Sequence, residues 1–309
     1  MRVLLIADYD ENKLSPKTAK LVSAAISIGK NIDILVAGFD VKNIANEAAK
    51  LDGVSNILLA DDETLKQQGA QVLCNLVKNI ADDYDAILTS VGTIGRAFIP
   101  RLSAVLDIMP ITDIIEIISP TTFNRPIYAG NAIKTISNLQ DKLLATIRSG
   151  SFSPVAKNNN ANIKEIEFEK ITSFVKFIKS IRTDNNTTDL SLAQIVIGGG
   201  QAFETKENFD MLYKLADLLG ASVGATRAAV ELGLAPNESQ IGQSGKIITP
   251  KLYIAFGISG ALQHLAGING AEKIIAINSD PEAPIMKIAD VAFVGDLKEI
   301  LPQLIKKLS

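Results

Sequence analysis

Around residue 260 the sequence sets four kinds of polar group at one helix start. The strand-like run Leu252 to Phe256 meets Gly257, turns through Ile258, Ser259 and Gly260, and enters a helical segment carrying Gln263 and His264. Backbone N–H groups in a first helical turn have no intrahelical partner, so here they converge with a hydroxyl, an amide and an imidazole. Such a set suits a phosphate. The plainer reading makes Ser259 an N-cap and His264 a core or surface histidine. A second candidate is Gly198, Gly199 and Gly200, which follow a strand and precede a helix, so that their backbone can approach a phosphate. Their spacing is not G-x-G-x-x-G, and three glycines after a strand also serve as a plain turn. The chain has one histidine and one cysteine, which leaves no zinc set and no nucleophile with a base beside it. Proton abstraction from a substrate therefore has no obvious agent. Cys74 lies among Val72, Leu73, Leu76 and Val77 in a helical pattern and reads as a buried structural thiol.

These groups need a scaffold that brings strand ends together. In the first part of the chain, β-branched runs at Val3 to Ile6, Ile32 to Val36, Ile57 to Leu59 and Ile87 to Leu88 predict strands. Helical spacing predicts helices over Pro16 to Ile28, stopped by a left-handed Gly29, and over Glu63 to Ile80. Strands alternating with helices imply a mostly parallel sheet with crossover connections. From about residue 117 to 182 the runs Lys142 to Ile147, Ile163 to Phe168 and Ser173 to Ile178 read as added antiparallel strands. The polar stretch Thr183 to Asp189 has nothing to bury and marks a boundary. The expected organisation is a domain over residues 1–183, a linker over 184–189 and a second domain over 190–309.

Beyond the linker the alternation restarts. Strands are expected at Ile195 to Ile197, Ser222 to Val223, Leu252 to Phe256, Ile274 to Ile277 and Val291 to Val294, with helices at Lys206 to Leu219 and Ala261 to Leu265. In the longer helix Phe209, Leu212, Leu215, Ala216 and Leu219 share one face, and Gly220 ends it. The expected fold class is α/β, with two domains each built on a mostly parallel sheet with flanking helices, the second Rossmann-like.

Composition narrows the function. A chain of 309 residues exceeds the roughly 250 to 300 at which single cores stop growing, so two domains are expected. The hydrophobic fraction of 47% is high, yet charges interrupt every apolar stretch before the roughly 18 residues of a membrane span. With 31 basic and 34 acidic residues the chain offers no basic field for a phosphate backbone. No secretory signal pattern precedes Val3, which points to the cytoplasm or, for a processed chain, the mitochondrial matrix.

One resemblance is specific. The run LYIAFGISGALQHLAGINGAEKIIAIN, Leu252 to Asn278, resembles the signature of electron transfer flavoprotein alpha subunits. VGATRAAV, Val223 to Val230, and IGQSGK, Ile241 to Lys246, resemble two further motifs of that family in the same order, and weaker similarity reaches Gly95 to Leu102 and Arg125 to Ala132. The resemblance implies FAD extended across the second domain. Thr226 and Arg227 stand where the family has a Ser-Arg pair. Ile241, Gly242, Gln243 and Ser244 stand where it has V-G-Q-T, whose last hydroxyl is aimed at the flavin N5 region. Ser259, Gly260, Ala261, Leu262, Gln263 and His264 would line the ribityl and ring side, with His264 near the pyrimidine carbonyl. Asn278, and Asp296 with Leu297, match positions on the adenosine half. Gln201 departs from the pattern, because the family commonly has Arg after its glycine pair, and an amide donates hydrogen bonds without charge.

By the same resemblance Arg227, Ser244 and His264 tune the flavin, since reduction builds negative charge on its N1 and C2 carbonyl side. The family implies a beta subunit that binds AMP, contact with that subunit through the first domain, and electrons received from dehydrogenases such as acyl-CoA dehydrogenases and delivered to a membrane-associated quinone oxidoreductase. Two other readings stay open on the residues alone. One is a flavin- or nicotinamide-dependent oxidoreductase with His264 as acid or base; the other is a nucleotide-binding scaffold without a redox role.

Overall fold

Apolar runs of strand length, separated by amphipathic segments long enough to cross a sheet, fold in the computed structural model as two parallel sheets. The described residues are 1–10, 13–66, 69–169, 175, 178 and 190–309. The chain divides into two compact units: Met1–Ile127 with Ile133–Arg182, and Tyr128–Ala132 with Thr183–Ser309. The expected linker at 184–189 lies outside the described residues, as does the expected strand at 173–178 apart from Val175 and Ile178. Tyr128–Ala132, which the sequence assigns to the first domain, belongs with the second unit, where a Cβ on Gly130 would lie 2.6 Å from Asn269 Nδ2.

The first unit opens with β1 (Arg2–Ile6), a short hairpin of β2 (Tyr9–Asp10) and β3 (Lys13–Leu14), α1 (Pro16–Ile28), β4 (Asn31–Gly38), α2 (Lys42–Ala48) and β5 (Val54–Asp61). It continues through α3 (Ala70–Ile80), β6 (Ala86–Ser90), α4 (Thr93–Leu106), β7 (Ile111–Ile114), β8 (Glu116–Ser119), β9 (Thr122–Ile127), β10 (Ala132–Ser137), β11 (Leu143–Ile147) and β12 (Asn162–Glu165). Seven strands form one sheet in the order β12-β5-β4-β1-β6-β11-β7, and β10-β9-β8 form a separate small sheet. Three details depart from expectation. β11 and β12 are parallel to their neighbours β6, β7 and β5, and the antiparallel pairing described in this region is that of β8 with β9. The Leu143–Ile147 run is wholly buried, as a parallel strand covered on both faces must be. Of the helix expected over Glu63 to Ile80, the structure shows two separate pieces, a single 3₁₀ turn at Glu63–Leu65 capped by Asp62 and α3 from Ala70, with Gly69 extended at its start.

Gly29 is the third. Its φ of −154° is extended, so a left-handed stop is not what it provides. A Cβ there would come within 2.3 Å of the Met1 carbonyl oxygen and 2.9 Å of Val3 Cγ2, so glycine is needed where α1 hands the chain back beside β1.

The second unit runs β13 (Ile195–Gly199), α5 (Lys206–Phe209), α6 (Met211–Leu219), β14 (Ser222–Ala225), α7 (Arg227–Glu231), β15 (Leu252–Phe256), α8 (Leu262–Ile268), β16 (Ile274–Asn278), α9 (Pro284–Ile288), β17 (Val291–Val294) and α10 (Leu297–Leu308). Its five strands are parallel in the order β14-β13-β15-β16-β17. The helix expected over Lys206 to Leu219 is present in two pieces that meet at Asp210, whose backbone stays in the right-handed helical region, and Gly220 ends it at φ +60°. Side chains alternate between two cores: Ile197, Ile254 and Phe256 pack beneath α6, and Val196, Tyr253 and Ala255 pack on the opposite face with Ile268 and Ile285. Among the described residues no helix is long and apolar enough to cross a membrane.

The Gly29→Ala variant tests the reading of that contact. Because φ is accessible to alanine, any loss is steric, and the nearest obstructing atom, the Met1 carbonyl oxygen, belongs to backbone; a destabilisation of about 1 to 3 kcal/mol is expected in urea unfolding. Wild-type stability would show that the start of β1 yields freely.

Candidate functional site

Strand order decides where a cleft can open in the second unit. β13 is flanked by β14 on one side and β15 on the other, so the connections leaving β13 and β15 diverge at their carboxyl ends, the place where open parallel sheets hold ligands. A cleft of about 820 Å³ lies there, within the range of cofactor sites. Gly200 and Gly257 follow the two strands and sit side by side, the Gly200 N–H donating to the Phe256 carbonyl at 3.0 Å. Gly257 at φ +61° and Gly260 at φ +83° turn the chain into α8 through conformations that L side chains rarely adopt.

The opposite wall is the turn from Ile241 to Lys246. The Ile241 N–H donates to the Ala225 carbonyl at 2.9 Å and the Gln243 N–H to the Gln263 carbonyl at 2.8 Å, which ties the turn both to the end of β14 and to the start of α8. The contact is close: a Cβ on Gly267 would lie 2.5 Å from the Gly242 nitrogen. Gln240 Nε2 donates to Ser244 Oγ at 2.9 Å, so the Ser244 hydroxyl proton is left to donate elsewhere.

Thr226 caps α7 by accepting from the Ala229 N–H at 3.2 Å. In the next position Arg227 Nε lies 2.8 Å from Glu231 Oε1, with the two side chains 69% and 61% exposed. That is an i,i+4 pair worth about 0.3 to 0.5 kcal/mol, and it places a carboxylate beside the arginine on the cleft wall. Asn278 spends its amide on the scaffold: Nδ2 donates to the Ile258 carbonyl at 2.8 Å, and Oδ1 accepts from the Asp280 N–H at 3.0 Å.

His264 is buried at 6% exposure. Its Nδ1 is 3.2 Å from the Ile241 carbonyl oxygen and its Nε2 is 2.9 Å from the Tyr253 hydroxyl. Burial pulls its pKa down to about 4, the bond to the Ile241 carbonyl opposing this in part. The imidazole is therefore neutral near pH 7, and as a general acid or base it is far from the working range.

Of the residues singled out from sequence, Gln201, Thr226, Arg227, Ile241, Gly242, Gln243, Ser244, Ser259, Gly260, Ala261, Gln263, His264 and Asn278 all border this one cleft. Leu262 faces outward at the start of α8. Asp296 caps α10, its Oδ1 accepting from the Lys298 N–H at 2.8 Å, and does not border the cleft. Leu297 is buried behind it, its Cδ2 2.6 Å from where a Gly257 Cβ would stand. The glycine run is also redistributed: the space beside Gly198 is filled by the Tyr253 hydroxyl and that beside Gly199 by Phe209 and Leu212, so only Gly200 reaches the cleft. Glu231, Gln240 and Asp280 border the cleft without having been singled out as site residues. Asp280 had a signal, since an acidic residue just past a parallel strand is a common partner of ribose hydroxyls.

The buried imidazole gives stability a pH dependence. Folded His264 takes up its proton only near pH 4, whereas an unfolded histidine does so near 6.5. Between those values the unfolded state binds more protons, so the contribution present above about 6.5 is lost as pH falls toward about 4. On going from about pH 7 to about pH 4.5, wild type should lose roughly 2 to 3 kcal/mol more in urea unfolding than His264→Gln. Equal losses would mean that the imidazole is not buried and neutral.

Similarity to other proteins agrees with these motifs. The family profile described as the electron transfer flavoprotein domain matches residues 3–171, and the one described as the electron transfer flavoprotein FAD-binding domain matches residues 189–269. The electron transfer flavoprotein subunit alpha of Pseudomonas aeruginosa is 41% identical over 307 residues, 99% of each chain. That of Paracoccus denitrificans is 40% identical over 309 residues, the whole of both chains. A probable mitochondrial subunit alpha from Caenorhabditis elegans is 39% identical over 306 residues, 97% of this chain and 92% of its own. Motifs, profiles and full-length identity agree, and the chain belongs to the electron transfer flavoprotein alpha-subunit family.

Proposed function

We propose that the cleft of the second unit holds one FAD, and that the chain carries electrons between protein partners without transforming a substrate of its own. The observation that carries this reading is a coincidence of position: the FAD-binding profile spans residues 189–269, and the same stretch supplies both principal cleft walls, from Gly200 to His264. The residues suit the group. A polar rim of Gln201, Gln243, Ser244, Ser259 and Gln263 surrounds a floor of backbone at Gly200, Gly257 and Gly260, where an extended dinucleotide can approach without meeting side chains.

When bound, FAD would supply one-electron exchange. This chain's residues would position it and shape the field around it. Ser244 has a hydroxyl proton to offer. Arg227 brings positive charge to the wall, tempered by Glu231, while His264 contributes none. Gln201 would bond a phosphate or ribose without charge. Asn278 would meet the adenosine half from the end of β16, with Asp280 beside it, and Asp296 and Leu297 would shape the chain around that end. Among the residues that border the cleft there is no cysteine or lysine, Glu231 is paired with Arg227, and His264, the base that could activate a hydroxyl, has protein atoms at both ring nitrogens, which favours the carrier over an oxidoreductase acting on a small substrate.

The partners that go with this role are a beta subunit holding AMP and clasping the flavin, flavoprotein dehydrogenases such as acyl-CoA dehydrogenases as donors, and a membrane-associated quinone oxidoreductase as acceptor. We infer that residues 1–183 serve subunit interaction and residues 190–309 bind FAD. The setting would be the bacterial cytoplasm or the mitochondrial matrix.

Two outcomes are expected. Denaturing the purified protein and chromatographing what is released should yield FAD in a ratio near one per chain, with occupancy rising on co-expression of the beta subunit; FMN, a nicotinamide nucleotide or nothing in its place would overturn the reading. Arg227→Ala should lower the first reduction potential of the bound flavin by about 40 to 60 mV, a difference of roughly 1 to 1.4 kcal/mol for an exposed, partly offset charge a few ångströms away. Arg227→Lys should keep part of this effect and Glu231→Gln should raise the potential. A wild-type potential in Arg227→Ala with FAD normally bound would make the arginine structural.

A further inference from the structure

Tyr253 does not border the cleft, yet it is the group on which one cleft residue rests. It is fully buried on β15. Its hydroxyl lies 2.9 Å from His264 Nε2, and the two rings sit 6.1 Å apart between centroids. The hydroxyl occupies the space over Gly198 on the neighbouring strand, where a Cβ would come within 1.9 Å of it. On the other side of the imidazole, Nδ1 is 3.2 Å from the carbonyl oxygen of Ile241. A carbonyl oxygen can only accept, so Nδ1 must carry the ring proton. Nε2 is then the acceptor, and the Tyr253 hydroxyl must donate to it.

We propose that Tyr253 is a positioning residue of the cleft: with the Ile241 carbonyl it holds His264 as the neutral, Nδ1-protonated tautomer and pins α8 to the Ile241–Gly242 turn, so that the imidazole presents neither charge nor an N–H to a ligand. The Nε2-protonated form predominates for a neutral histidine side chain in water, so this tautomer has to be imposed by the protein. Gly198 acquires a purpose in the same step, since any side chain there would displace the hydroxyl. His264 thereby becomes a strut between three segments of the cleft, and the charge that a bound anion meets comes from Arg227. Burial of Tyr253 pushes its phenol pKa upward, which keeps the hydroxyl proton available to donate.

The consequence for a bound flavin rests on the FAD reading above, whereas the tautomer does not. His264 is the one histidine of the chain, so labelling the full-length protein with ¹⁵N-histidine leaves a single pair of ring-nitrogen signals. Wild type should show a pyrrole-type Nδ1 and a pyridine-type Nε2, and both should keep these characters on adding FAD. In Tyr253→Phe, Nδ1 should stay protonated while Nε2 moves downfield toward the value of an unbonded pyridine-type nitrogen. The FAD dissociation constant should rise roughly three- to tenfold, as expected for one lost hydrogen bond behind the wall. An Nε2-protonated wild type, an Nε2 that turns pyrrole-type when FAD binds, or an Nε2 signal indifferent to Tyr253→Phe would each overturn the proposal. The wild-type spectra need no variant, so they decide the matter even if Tyr253→Phe does not fold. Loss of the FAD reading alone would appear as an unbound flavin with the Nδ1-protonated tautomer intact.

Discussion

The register between β13 and β15 is the constraint on which the second unit's carboxyl edge depends. Val196 faces Tyr253, Gly198 faces Ala255 and Gly199 faces Phe256. In that register the Tyr253 hydroxyl passes over Gly198, the Gly200 N–H meets the Phe256 carbonyl, and both chains leave the sheet together through glycine. A slip of one residue would turn every side chain of the strand to the other face, putting the tyrosine ring into the core beneath α6 and leaving Nε2 of the imidazole without its donor. Position of the cleft and condition of its histidine follow from one alignment.

A neutral imidazole also bears on which chemistry the site can do. General acid–base catalysis works best when the pKa of the group lies near the working pH. His264 is displaced to about 4, and protein atoms face both ring nitrogens, so it is poorly placed to move protons for a substrate. The polar groups that remain are hydroxyls, amides, the Asp280 carboxylate and one exposed ion pair, which bind and orient. Such a wall leaves redox chemistry to a bound group and suits a carrier whose task is to hold that group at the right potential.

In the first unit the same physics serves packing. The central strands of the seven-stranded sheet are buried on both faces between two apolar clusters, with Leu5 and Ile34 on one side and Leu4 and Leu35 on the other. Cys74 belongs to the second of these clusters, where burial pushes its thiol pKa upward and it acts as a small apolar side chain. The left-handed conformations of Tyr128 and Ala129, costly for residues with a Cβ, lie in the Tyr128–Ala132 segment that joins the second unit. Local sequence carries no sign of that membership, because the segment's partner, Asn269, is far away along the chain.

What the sequence determined by itself was whatever depends on the spacing of neighbours. α1 spans Pro16–Ile28 as its apolar period predicts, β17 spans Val291–Val294, and Gly220 adopts the left-handed stop. The three ordered motifs between Val223 and Asn278 were legible as well, and each contributes residues to one cleft. Tertiary structure decided the rest. Whether Leu143–Ile147 runs parallel or antiparallel is a property of its neighbours β6 and β7, not of its own composition. Gly29 and Gly198 look like turn glycines until the atoms that would collide with a side chain come into view, namely a carbonyl at Met1 and a hydroxyl at Tyr253. His264 could be read as a charged partner or a core residue until folding brought the Ile241 carbonyl to one nitrogen and Tyr253 to the other. Periodicity reports which face of an element is buried; it cannot report which polar group awaits there, because that group arrives from another part of the chain.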